Sequence, residues 1–459
     1  MKINRKWATI IASAIVVAFI MLMVMRPWGT AATDDSRLSG NNSEDINENA
    51  PGYTADENEP EEGTPEPMQR GWDLNLPSLA QAFEPYFMFG NIYSSTTVMN
   101  MPYTRQMFAH HFNAVTAENW HKPYNIAPRG FIRPEARQYN FIRADAIVDW
   151  AIENNITMIG HVLVWHSQSP DWLFFSAPGV PLTRAEARSN MEFHIRTLAE
   201  HFTERGTIHA FHSWDVVNEA IASDGGRWNG SVSDWNAGDW RTQMREDSPW
   251  FMAYANGYDP EAGEHPSDYV YDAFVFARRY FPESILYYND YNEEVPAKRN
   301  AIGQMVQQLN QRWAHDIENN PEAVPEGEEY TGRLLLEGIG MQGHYHLDQW
   351  RTNLNNVRPA IERFIATGAV ISVTELDITI GLQGRPLSAP LDAASQARQA
   401  QAFARLFGYY IEFADYIERV SIWGKADNQS WRAWGHPVLF DMNFHAKEAF
   451  FEIMGMVGS

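Results

Sequence analysis

From Gly71 onward two rhythms of apolar and polar positions alternate along the chain. Short runs rich in β-branched and aromatic residues read as strands: "YFMFGNIYS", "FNAVTAEN", "ITMIGHVLVW", "IHAFHSWDVVNE", "SILYYNDYN", "LEGIGMQGHY", "AVISVTELDI" and "RVSIWGKADN". Between or after them lie stretches with apolar residues three or four apart, which read as amphipathic helices: "ADAIVDWAIENN", "RSNMEFHIRTLAEHF", "DYVYDAFVFARRYF", "VRPAIERFIATG" and "RQAQAFARLFGYYIEFADY". Strands alternating with helices predict parallel pairing through helical crossovers. Eight such units predict an α/β fold, a closed (β/α)8 TIM barrel. The competing architecture is an open doubly wound sheet. It usually has fewer strands and often a Gly-rich phosphate turn after the first, and no such fingerprint is present.

The eight runs begin apolar and turn polar. They carry Glu118 and Asn119, His161, Asn218 and Glu219, Asn289 and Asp290, Gln342 and His344, Glu375 and Asp377, and Lys425 and Asp427 toward their ends. In a barrel all strand C-termini share one face, and that face carries the chemistry. Positions far apart in sequence are therefore expected to meet at one polar cleft with an aromatic rim. Two segments read as insertions. Residues 222–267 hold Trp228, Trp235, Trp240 and Trp250, follow the fourth strand, and are expected over the active face. The acidic stretch 317–333 precedes the sixth strand and is expected on the opposite face.

The start of the chain has a different pattern. Lys2, Arg5 and Lys6 precede an uncharged run from Ala8 to Met25, about 27 Å long as a helix. It is long for the core of a cleaved signal and close to the length of a spanning helix. Residues 1–32 are thus a signal peptide, with "TAA" at 30–32 as its cleavage site, or an uncleaved anchor. Both readings make the remainder extracellular, secreted or tethered to the outer face of the membrane. Residues 33–70 form an acidic linker, expected to be disordered; 33–68 hold eleven Asp/Glu against one Arg. The catalytic domain is expected over 71–459.

Over all 459 residues the formal charge is −23, which disfavours nucleic acid and anionic surfaces as partners. The absence of cysteine excludes disulfides, thiol catalysis and Cys-based zinc sites. No cofactor requirement is visible, and the chain is expected to act as a monomer. Seventeen Trp and nineteen Tyr suit a site that binds flat apolar faces, although such rings also fill cores.

Glu219 and Glu375 stand out by position, at the ends of the fourth and seventh strands. Glycoside hydrolysis needs one carboxylic acid to protonate the leaving oxygen and one carboxylate to attack or to activate water. Singly, either residue reads equally as half of a structural ion pair; the set is what points to chemistry. Asn218 offers an amide that can hydrogen-bond a sugar hydroxyl. His344 and His346 form an H-x-H, but a mononuclear metal site needs a third ligand and none is local, so His344 is read as a hydrogen-bond partner of a carboxylate. Trp214, in mid-strand, reads as packing. Trp423 and Trp431 flank polar loop residues and read as cleft residues.

Seven motifs resemble glycoside hydrolase family 10, the endo-β-1,4-xylanases, and run in that family's order across nearly all of 71–459: "FNAVTAEN" with Lys122, "GHVLVWHSQSPDW", "WDVVNEA", "LYYNDYN", "GIGMQGHYH", "VTELDI" and "IWGKADNQSW". The resemblance implies a retaining enzyme acting on xylan and xylo-oligosaccharides, with Glu219 as acid/base and Glu375 as nucleophile. It further implies a raised pKa for Glu219 and an ionised Glu375. Glu118, Asn119 and Lys122 would hold the non-reducing side of the substrate. His161, Trp165, Gln168 and Asn218 would shape the site where the ring distorts, and Gln342, Trp423 and Trp431 would complete it. His344 and Asp377 would orient the carboxylates.

Three departures stand against the family pattern: Trp120 and His121 in "ENWHKP", the length of 222–267, and Glu448 in "AKEAFFEI". The first two are expected at the cleft rim and bear on side-chain preference. A barrel glycosidase acting on β-1,4-glucan, mixed or aryl glycosides is the nearest alternative. A non-catalytic xylan-binding barrel would be expected to lack one of the two Glu, and a two-lobed sugar receptor has no support in the pattern.

Overall fold

The computed structural model describes residues 75–94, 99, 101–222, 229–319, 332–349, 352–381 and 391–457. The apolar run 8–25, the linker 33–70, Trp228 and most of the acidic stretch 317–333 lie outside the described residues. Among the described residues no helix is long and apolar enough to cross a membrane.

Eight parallel strands form the centre: β1 (Met88–Tyr93), β2 (Ala114–Ala117), β3 (Thr157–Trp165), β4 (Phe211–Asn218), β5 (Ile285–Asp290), β6 (Gly338–Met341), β7 (Val370–Thr379) and β8 (Ile417–Ile422). Each pairs with the next, and β1 pairs with β8 from Met88 opposite Arg419 to Asn91 opposite Ile422, which closes the ring. All eight sequence-predicted strands are present. The crossovers are the helices Pro102–His111, Ile142–Glu153, Arg184–Glu204, Asp268–Tyr280, Pro296–Asn319, Val357–Ile365 and Ala393–Glu412, and Glu448–Gly455 follows β8.

Local chemistry sets the boundaries. Arg184–Glu204 begins with a capping box: the Thr183 hydroxyl accepts from Glu186 N, and the Glu186 carboxylate accepts from Thr183 N. Proline opens Pro102–His111, where its missing N–H costs nothing. Glu448 is the first residue of its helix, where a negative charge suits the helix dipole. Buried Val, Ile and Leu of the strands meet Phe and Trp of the helices; Trp214 on β4 is fully buried and stacks on Phe211, as its mid-strand position predicts.

Two expectations change. The sixth run divides: β6 stops at Met341 and a second short strand, His344–His346, pairs with the far end of β7, with His344 opposite Asp377. Gly343 turns the chain between them at φ +75°, a conformation that side chains resist. His121 is not at the cleft rim. Its ring is buried against Phe202, Phe211 and Trp214, and burial pushes its pKa down to about 3, so it is a neutral core residue.

Candidate active site

Strand ends bring the site together. Asn218 closes β4 and Glu219 follows it at φ +58°, outside the usual range for a residue with a side chain. Its carboxylate is ringed by donors. Oε1 accepts from Asn218 Nδ2 at 3.2 Å and from Gln342 Nε2 at 3.0 Å. Oε2 accepts from Trp165 Nε1 at 3.0 Å, and His166 Nε2 stands 3.9 Å away.

Glu375, on β7, is buried at 6% exposure. Its Oε1 accepts from Asn289 Nδ2 at 2.8 Å and its Oε2 from His344 Nε2 at 3.2 Å. The other imidazole nitrogen, Nδ1, donates to Asp377 Oδ2 at 2.9 Å. Asp377 also accepts from Trp431 Nε1 at 3.1 Å and from Arg432 Nη1 at 2.6 Å. Asn218 Oδ1 accepts from both Asn289 Nδ2 (3.0 Å) and Gln342 Nε2 (3.1 Å), so amides bridge the surroundings of the two Glu.

Electrostatics act on both carboxylates. Burial raises the Glu375 pKa, but the His344 hydrogen bond, the charges of His161 and His344 and the Asn289 bond outweigh it and bring it to about 2. Burial lowers the His344 pKa, yet the Asp377 and Glu375 carboxylates carry it up to about 9, so both its nitrogens hold protons at neutral pH. Glu219 departs from expectation. Burial raises its pKa too, but His166, the Gln342 bond, Arg245 and the Trp165 bond together hold it below the ordinary carboxylate range in the sugar-free site. The His166 contribution requires a protonated ring, and burial pushes that ring's own pKa down to about 4. At neutral pH His166 is uncharged and its hold on Glu219 is weaker.

Beside this pair Lys122 Nζ donates to Asn119 Oδ1 at 3.1 Å and to Gln168 Oε1 at 2.8 Å, and lies 5.1 Å from the Trp165 ring centre. Glu118 follows β2 directly, its N–H bonded to Tyr93 O. His161 on β3 is anchored by Asp215 Oδ2 at 2.9 Å and meets Trp423 edge-on at 5.7 Å. Trp423 is buried, whereas Trp431 is 39% exposed.

One family model, that of glycosyl hydrolase family 10, matches residues 78–456. The chain belongs to glycosyl hydrolase family 10. It is accordingly a glycoside hydrolase. It is 28% identical to an endo-1,4-beta-xylanase of Geobacillus stearothermophilus over 83% of this chain and 99% of that one. Endo-1,4-beta-xylanase B of Paenibacillus barcinonensis is 29% identical, with 83% and 98% covered. Among solved structures, an intracellular xylanase of Thermoanaerobacterium saccharolyticum, as a mutant complexed with xylotriose, superposes with a TM-score of 0.64 at 29% identity, covering 83% of this chain and 98% of that one.

Among the sequence-predicted residues, direct hydrogen bonds link Glu219 with Trp165, Asn218 and Gln342, and Glu375 with His344 and, through it, Asp377 and Trp431. Lys122, Asn119 and Gln168 form the adjoining group. The two histidines of the H-x-H part company: His344 lies between the carboxylates, and His346 packs against Trp434. Asp427 is structural, accepting from Val438 N and Lys447 Nζ.

Sequence reasoning assigned no role to Asn289, His166, Arg245 or Arg432. Asn289 ends β5 by the same polar-end signal as its neighbours. His166 and Arg432 directly follow Trp165 and Trp431 and could have been read with them. Arg245 lies in irregular chain that carries no periodic signal.

Proposed function

We propose that this protein is an endo-β-1,4-xylanase that hydrolyses internal bonds of xylan by a retaining double displacement. The observation that carries the reading is the pair of carboxylates at the ends of β4 and β7, joined by one amide network. Glu375 is held ionised by an imidazolium and by Asn289, while Glu219 accepts from Asn218 and Gln342, whose side chains meet Asn289 at Asn218 Oδ1. In the first step a Glu375 oxygen bonds to the anomeric carbon as the glycosidic C–O bond breaks, and Glu219 gives its proton to the leaving oxygen. In the second, Glu219 takes a proton from water, the resulting hydroxide oxygen bonds to the anomeric carbon, and the Glu375 ester bond breaks. Both side chains return to their starting states.

Glu118, Asn119 and Lys122 serve the non-reducing side of the cleaved bond, Gln168 lines the site of the distorting ring, and Asn218 serves a hydroxyl of that ring. Trp431, partly exposed, stacks on a sugar; Trp423 and His161 wall the pocket. The named activities of the relatives and the xylotriose complex support xylan as substrate. A β-1,4-glucan reading draws on one relative, "Exoglucanase XynX" of Acetivibrio thermocellus, 30% identical over 83% of this chain and 29% of that one. Export rests on the Ala8–Met25 run alone and is checked by fractionation of the expressing cells.

The deciding experiment assays the full chain on xylan and on carboxymethylcellulose, wild type beside Glu375→Ala, with and without azide. Xylan hydrolysis lost in the variant and partly restored by azide, giving a glycosyl azide of inverted configuration, supports the assignment. Hydrolysis of the glucan alone overturns the substrate. Wild-type rates in the variant overturn the two-Glu mechanism.

A further inference from the structure

The insertion 222–267 has no part in the mechanism above, yet its second half packs against Glu219 and the residues that follow it. Ile221 forms an antiparallel bridge with Met244, and Ala222 N donates to Gln243 O. Trp240 and Trp250 are fully buried. Trp240 is tied to helix Pro296–Asn319 through Gln304 and Gln308, and Trp250 Nε1 donates to the main-chain oxygen of Trp165 at 3.1 Å. This segment is thus a rigid buttress on both the acid/base residue and the indole that hydrogen-bonds it.

Arg245 lies where the buttress meets the site. Its Nε donates to Glu219 O at 3.2 Å, its Nη2 to the Tyr291 hydroxyl at 2.9 Å, and its own N–H to Ala220 O at 2.9 Å. Glu219 needs such restraint. A non-glycine residue at φ +58° is strained and persists only where its surroundings fix it. Here Glu219 N donates to Asn289 O at 2.9 Å on one side, and Arg245 grips Glu219 O on the other. Because the guanidinium is a planar fork, one side chain can hold the Glu219 main chain and a residue of the β5 loop in fixed relation.

We propose that Arg245 is a positioning residue for the acid/base step: it locks the left-handed backbone of Glu219, aims its carboxyl, and supplies a fixed positive charge beside it. The inference rests on the two-Glu reading. Among the described residues, the other ionisable groups around this corner are His166 just after β3, Asp247 in the insertion, Tyr269, Tyr291, and Asp290 at the end of β5 with Lys298, a buried ion pair 2.8 Å apart. His166 is neutral at neutral pH, and Lys298 is engaged by Asp290. Arg245 is therefore a permanent cation beside Glu219, in keeping with the mutual influence of the two groups.

The test compares kcat/KM, which reports the steps through formation of the covalent intermediate, on xylan and on 2,4-dinitrophenyl β-xylobioside, whose leaving group needs no proton. In Arg245→Met the xylan value falls about 10- to 100-fold, the scale of a lost hydrogen bond to a charged group. The dinitrophenyl value changes little, and the basic limb of the pH profile moves to higher pH because loss of the cation favours protonated Glu219. In Arg245→Lys the limb stays near its wild-type position while the xylan rate remains low, because a point charge cannot replace the fork. Equal losses on both substrates, or an unmoved limb in Arg245→Met, would overturn the proposal and leave a structural role. Glu219→Ala is run beside them. If it keeps xylan hydrolysis the two-Glu reading itself fails; if it loses xylan but keeps the dinitrophenyl substrate while Arg245→Met matches wild type, only the role of Arg245 fails.

Discussion

Asn289 donates a hydrogen bond to Glu375 Oε1 at 2.8 Å, across 86 positions of sequence, and the same nitrogen reaches Asn218 Oδ1 at 3.0 Å. The amide is fixed from behind, since its oxygen accepts from Thr374 Oγ1 at 2.6 Å. One side chain thus orients both Glu375, the proposed nucleophile, and the Asn218 amide beside it. Asn289→Ala is expected to lower kcat on xylan by about 10- to 100-fold, the range for a hydrogen bond to a charged group, with a small change in KM. Steady-state kinetics check it, with circular dichroism to confirm folding.

The His344 hydrogen bond leads the interactions that lower the Glu375 pKa, with the charges of His161 and His344 and the Asn289 bond beside it. With Glu375 brought to about 2, its carboxylate stays ionised through the usual assay range. In His344→Asn the imidazolium is gone and the Glu375 pKa rises. The acid limb of kcat/KM therefore moves to higher pH, and activity at pH 4 falls more than activity at pH 7. A pH–rate profile of each protein decides the matter.

A buried acid beyond β5 makes stability depend on alkali. Burial, and then the charge of Glu293, push Glu294 up to about 8 from 4.5. The folded protein holds a proton that the unfolded chain releases near 4.5, so stability from this group is complete below that pH and is lost as pH rises to about 8. Glu294→Gln keeps the shape without the charge. Its melting temperature, compared with wild type by calorimetry, should gain steadily between pH 5 and 8 and hold that advantage at pH 9. A constant difference across that range sinks the idea.

Gly160 on β3 lies opposite Trp214 on β4, and a Cβ there would stand 2.2 Å from the indole. Gly160→Ala forces the ring or the strand to move and should destabilise the barrel by ~2 kcal/mol or more. The midpoint of urea unfolding would show it, with the slope unchanged.

The barrel was legible because each strand announces itself twice, by an apolar run and by the polar residues that close it. "SWDVVNEAI" displays both signals within nine residues. His344 was legible in its role, because an H-x-H without a third ligand leaves hydrogen bonding to a carboxylate as the natural use. Three things were harder to read. The helix Pro296–Asn319 was not among the helices named, though Ile302, Met305, Val306 and Leu309 keep helical spacing amid many polar residues. The depth of His121 was hidden, because a single histidine in a loop motif gives no sign of the three aromatic rings above and below it. The restraint of Glu219 by Arg245 was beyond reach, since it depends on an aperiodic loop folding back on a backbone angle that no side-chain pattern encodes. The same donors that aim Glu219 also lower its pKa in the sugar-free site, against the value its role suggested.

The pairing of β1 with β8 has a consequence for synthesis. A growing chain on the ribosome contains Glu219 and later Glu375, but the first strand keeps an open edge until residues 417–422 emerge. Before then the ring is incomplete, and β7 lacks its pairing with β8. On the proposed mechanism, hydrolytic competence is therefore acquired late, when the last strand meets the first, and a chain truncated before β8 carries both glutamates without the closed ring.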